Sequence, residues 1–243
     1  MIYLLVFFVE LGGLYFISRV VTQKLFTFFL LLFRHRSIAV SIVTAILFPG
    51  TIVHELAHLF TAEILGVRTG KLTLVPESIE EADIKTGSVQ IAQTDVFRRY
   101  AIGLAPVFWG MFILTALSYF LPSVWKQTLF DGQNGQLFSQ GSLYIFLAMS
   151  YALFAISNSM FSSPEDLRGF LPFLITIGIL TGAAYFAGIR FMLTGQALDI
   201  FTGIVTSLAQ SIGIVLALNI MLLLLLHVWV DMIGKLFSVR LVT

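Results

Sequence analysis

The amino-acid sequence predicts an all-α polytopic membrane protein, with about six transmembrane helices and a small β element after the second of them. Three observations carry that expectation. Of 243 residues, 58% are hydrophobic and only 11% charged, and the mean hydropathy is +0.96, far from the composition of a soluble domain. Apolar stretches near the roughly 20 residues that a crossing helix needs recur at 2–18, 38–65, 100–121, 143–161, 171–192 and 198–228. The only long polar interval, 67–99, contains "KLTLV" and "GSVQIAQT", which alternate apolar and polar residues around an acidic turn, "PESIEEAD".

The chain reads as a single transmembrane domain, 1–243. Its first stretch starts at Met1 without a basic n-region or a small-residue cleavage site, so it reads as a retained span. Residues 19–36, "RVVTQKLFTFFLLLFRHR", hold a short apolar run between basic ends and read as a connector lying at the interface. The strands are expected at 71–75 and 87–94, within a β element over about 71–94. Residues 122–142 read as a loop, and the C-terminal helices occupy about 171–243. Gly178 and Gly182 in "GILTG" are spaced for close helix packing. Cys is absent, which excludes disulfides and thiolate metal sites. The net charge is +1 with no basic block, so nucleic-acid binding is set aside. The implied surroundings are a lipid bilayer.

Within the second stretch, "LFPGTIVHELAHLFTAEILGV" places His54, Glu55 and His58 among apolar residues. Residues four apart share one helix face, so the two imidazoles can address one point while Glu55 lies one step round. Such a pair makes half of a tetrahedral Zn2+ site, whose catalytic form has three protein ligands and one position for water. Glu55 is then placed to take a proton from that water, whose pKa the metal lowers from about 16 toward about 7. An accidental "HELAH" is costly in lipid, where each charged group costs roughly 2.5–3.5 kcal/mol at mid-bilayer. Glu63 is out of phase with the pair and reads as a snorkelling side chain near the helix end. His35 and His227 read as interfacial. Pro49 and Gly50, one turn before His54, permit a bend in this helix. A third ligand must come from elsewhere, and "SNSMFSSPEDLRGF" offers Asn158, Glu165 and Asp166 around Pro164. A polar helix cap is the alternative reading of that segment.

These residues resemble the site-2 proteases, intramembrane zinc metalloproteases, over roughly residues 38–170. His54, Glu55 and His58 form the HExxH motif, followed by Ala62 and Gly66. Asn158 precedes Asp166 by the family's interval of eight residues, across a proline-containing kink. "GLAPVFWG", residues 103 to 110, is similar to the segment that opens the family's next span, and a β element after the zinc helix is typical. Ala57 in place of the frequent Gly, and Glu165-Asp166-Leu167-Arg168-Gly169 in place of Leu-Asp-Gly, mark a divergent member.

The resemblance implies zinc held by His54, His58 and Asp166, with Glu55 as general base. It also implies Asn158 as a hydrogen-bond donor to the substrate carbonyl, and a transmembrane protein or peptide as substrate. It further implies a multi-pass protein of a prokaryotic plasma membrane with both termini cytoplasmic. Two other function classes remain open on the residues alone. One is an inactive relative that binds transmembrane helices. The other is an ion or proton transporter using Asp199, Gln210 and Asn219 as a polar path.

Overall fold

In the computed structural model, residues 2–73, 88–129, 140–161, 166, 175–176, 179–180, 182–183, 186–188 and 194–236 are described. Among these described residues, five helices are long and apolar enough to cross a membrane: α1 (Ile2–Phe33), α2 (Arg36–Ile64), α3 (Val96–Leu129), α4 (Gln140–Ser159) and α5 (Gln196–Leu236). The sixth expected span, 171–192, falls mostly outside the described residues, as do the acidic turn 76–83, Pro164 and Glu165.

Two boundaries differ from the sequence expectation, at 19–33 and 122–129. α1 runs through the 19–33 segment as one helix of about 48 Å at 1.5 Å per residue. That segment contains no Gly or Pro to break it. Val21 and Leu25, one turn apart, pack with Val43 and Leu47 of α2 and Leu226 of α5, while the Arg19 guanidinium lies over the Tyr15 ring at 5.0 Å. Likewise α3 continues past Pro122 to Leu129, so the expected 122–142 loop contracts to the interval between α3 and α4.

Helix ends follow local chemistry. Arg34, with φ 54°, makes the tight connection between α1 and α2. α2 ends in a Schellman arrangement at Gly66 (φ 69°), where the Gly66 and Val67 amides donate to the Glu63 and Ala62 carbonyls and Val67 packs on Ala62. α3 begins at Asp95, whose carboxylate accepts from the Arg98 amide at 3.0 Å.

Small residues set how closely the helices pack, as expected where lipid supplies no hydrophobic drive between them. A Cβ at Gly50 would meet the Ala155 carbonyl oxygen of α4. Pro49 removes one helical donor from α2, and α4 reaches the carbonyls beside it: Tyr151 Oη donates to Ile46 and Ser159 Oγ to Leu47. Among the described residues nothing lies within 4 Å of a Cβ placed at Gly182, while Gly178 of "GILTG" lies outside the described residues.

Helix directions follow from paired contacts. α2 and α4 run parallel, with Ile46 beside Tyr151 and Gly50 beside Ala155. α1 and α5 also run parallel, Glu10 facing Gly213 and Gly13 facing Leu216. A bilayer crossed by both therefore has the start of α1 and the end of α5 on opposite faces. The β element is an antiparallel hairpin of β1 (Thr69–Thr73) and β2 (Ser88–Ile91), pairing Thr69 with Ile91 and Leu72 with Val89. One extra residue on β1 makes a bulge between those pairs.

Candidate metal centre

His54 and His58 lie one turn apart on α2, and both are buried, as is Glu55 between them. The edges of T-shaped imidazoles meet with ring centroids 4.8 Å apart. His58 Nε2 is 3.2 Å from His54 Nε2, and Asp166 Oδ2 is 3.2 Å from His54 Nε2 and 3.3 Å from His58 Nε2. Three donor atoms thus form a nearly equilateral triangle. The centre of a regular tetrahedron built on a triangle of that edge lies about 2.0 Å from each corner, the Zn–N distance. Among the described residues this is the one group of three His, Asp or Glu side chains able to hold a metal ion.

Proton arithmetic supports the same fit. His58 Nδ1 is 2.8 Å from the Ile102 carbonyl oxygen of α3, which can only accept, so Nδ1 carries the proton and donates. In neutral His58 that leaves Nε2 as a lone pair facing another imidazole nitrogen and a carboxylate oxygen. A proton on His54 Nε2 would bond only one of its two neighbours at a time, whereas one divalent cation could meet all three corners together. His54 Nδ1 is buried without a hydrogen-bond partner.

Neighbouring elements hold the corners in place. α3 approaches the Asp166 backbone at Gly103, where a Cβ would stand 3.0 Å from the Asp166 carbonyl oxygen. One turn beyond His58, Thr61 Oγ1 accepts from Trp109 Nε1 at 3.1 Å, tying α2 to α3. Ile102 and Gly103 escaped sequence reasoning because the contributions are a main-chain carbonyl and an absent side chain. Their only signal was the short run "GLAP", seen as a resemblance and not as chemistry.

Asn158 lies elsewhere in its bonding. Its Nδ2 donates to the Phe154 carbonyl at 2.8 Å and to Asn219 Oδ1 at 2.6 Å, with Ser157 Oγ at 3.4 Å. Asn219 Nδ2 in turn donates to the Val215 carbonyl and Ser157 Oγ, both at 3.0 Å. Each amide is oriented by a backbone carbonyl four residues back, so neither can be flipped without losing a bond. Both hydrogens of Asn158 are therefore engaged, while its Oδ1 is buried without a partner. Donation to a substrate carbonyl requires that Asn158 release Asn219.

Of the remaining candidates, Glu63 and His35 are exposed, and exposed His227 lies 3.6 Å from Asp231. Asp199 and Gln210 are exposed while Asn219 is fully buried. Nine residues, half a turn out of phase, separate Gln210 from Asn219, so the three do not line a common interior path. No family model, curated protein or solved structure matches the chain.

Proposed function

We propose that this multi-pass membrane protein is a zinc-dependent intramembrane endopeptidase, a divergent relative of the site-2 proteases. It would hydrolyse peptide bonds in or near the transmembrane segments of membrane-protein substrates. The observation that carries the reading is the convergence of His54, His58 and Asp166 at mutual distances of 3.2–3.3 Å, with Glu55 buried beside them. His54 and His58 would bind through their Nε2 lone pairs and Asp166 through Oδ2. When bound, zinc supplies Lewis-acid polarisation of the scissile carbonyl and makes water nucleophilic at neutral pH.

Glu55 then serves as the proton carrier, taking a proton from water at its carboxylate and returning it to the leaving amine nitrogen. A helical substrate has its peptide groups bonded internally and must unwind to present one. The β1–β2 hairpin, two-stranded among the described residues, offers edges on which an unwound segment can pair. The hairpin follows α2 directly, next in the chain after His54 and His58.

Purified protein is expected to carry close to one zinc. Glu55→Gln should keep that zinc while cleavage of a panel of single-span peptides falls by about 10²–10⁴-fold. Cleavage by Glu55→Gln at the wild-type rate would overturn the protease reading. We further propose a prokaryotic plasma membrane with the α1 start cytoplasmic and the α5 end on the opposite face. Protease-accessible tags at the two ends should then be cut from opposite sides of sealed vesicles.

A further inference from the structure

In an α-helix the carbonyl of residue i accepts from the amide of residue i+4. α3 is continuous across Ile102, and the residue four positions on is Pro106, which has no N–H. The Ile102 carbonyl thus lacks its helical donor. Ile102 is also fully buried, and lipid offers no replacement. His58 Nδ1–H fills the vacancy at 2.8 Å.

We propose that Pro106 is a positioning residue: by withholding an amide hydrogen it frees the Ile102 carbonyl to hold His58 as the Nδ1–H tautomer. The Nε2 lone pair is thereby turned toward His54 and Asp166. Partners that fix the tautomer of a ligating histidine raise its basicity and its affinity for the metal. The same turn of α3 carries Gly103, which admits the Asp166 backbone, so one short segment positions two of the three corners. The effect on metal affinity rests on the zinc reading above, whereas the link from proline to tautomer does not.

The test uses the full-length protein in lipid nanodiscs, in three forms. Wild type lacks the amide at 106, Pro106→Ala restores it, and lactic acid at 106, joined through a backbone ester, removes the ring but again supplies no N–H. Two quantities are read: the His58 tautomer by nitrogen-15 NMR of zinc-free protein at a pH where the imidazole is neutral, and the zinc Kd by competition with a chelator. Wild type and the ester form should share the Nδ1–H tautomer and the same Kd. Pro106→Ala should show mixed tautomers and bind zinc about 10–100-fold more weakly. Equal weakening in the alanine and ester forms would overturn the proposal, because the ring and not the missing donor would then matter. An unchanged tautomer in Pro106→Ala would overturn it as well. If no form binds zinc but the tautomers follow the expected pattern, the metal reading fails and the positioning role of Pro106 stands.

Discussion

Two buried polar clusters lie in this helix bundle and differ in how their protons are distributed. Around Asn158 and Asn219, amide hydrogens meet carbonyl and hydroxyl oxygens at 2.6–3.0 Å, leaving one acceptor unpartnered. Around His54, His58 and Asp166, two imidazole nitrogens and a carboxylate oxygen converge at 3.2–3.3 Å, and His58 commits its Nδ1–H to the Ile102 carbonyl oxygen. The asparagine cluster is nearly complete in itself. The histidine cluster has the spacing of a group that could hold a cation. Burial of polar groups in a membrane protein is thus insufficient to mark a candidate metal centre; the convergence of three potential ligand atoms on one point is what separates the two.

The sharpest way to break that contrast is to remove one member from each cluster. Asp166→Ala should lose zinc and all measurable cleavage. Asn158→Ala should retain zinc while lowering stability by roughly 1–3 kcal/mol, the cost of a buried partner left unsatisfied. Metal content and thermal unfolding read both effects. Replacing Asn158 and Asn219 together by leucine should cost less than the two single changes added, since no polar partner is then stranded. Zinc lost from Asn158→Ala and kept in Asp166→Ala would invert the comparison.

A smaller effect is expected where the clusters are joined. Gly50 lies one turn before His54 on α2 and touches α4, the helix that carries Asn158 and leads to Asp166. Gly50→Ala should push the helices apart at a cost of about 1–3 kcal/mol and weaken zinc binding, because ligands on the two segments separate. Zinc affinity unchanged in a destabilised Gly50→Ala would show that the triad is held by α3 instead. The smallest effect should come from Ile91→Pro, which removes a strand amide in the hairpin and touches neither cluster. Slower peptide cleavage at unchanged zinc content is expected. Wild-type cleavage would remove strand pairing from the proposed function and leave the metal chemistry intact.

Much of the bundle was legible because lipid imposes a simple rule: a crossing helix must be long and apolar. The spans beginning near residues 2, 38, 100, 143 and 198 follow from that rule alone. Their ends were harder to read. Arg19, Lys24 and Pro122 look like terminators, yet Arg19 packs over Tyr15 and α3 tolerates Pro122 in its interior. The hairpin was legible from alternation, although its bulge was not, because the pairing register depends on both strands together. Asn158 was singled out by its eight-residue interval from Asp166. Its commitment to Asn219, 61 residues away, leaves no trace in local sequence.

By itself the sequence determined the medium, the period that aligns His54 with His58, and the choice of ligand types left by the absence of cysteine. These are local properties, set by helix geometry and by what each side chain can donate or accept. Tertiary structure alone decided that Asp166 closes the triangle, that α1 and α5 run parallel, and that Asn158 turns one amide hydrogen toward α5. It also paired His58 with a carbonyl that Pro106 had left without a donor. The physical reason is common to all four. Each depends on the distance between atoms far apart in the chain, and that distance is set by how glycine and alanine faces let the helices approach, not by any residue's own preference.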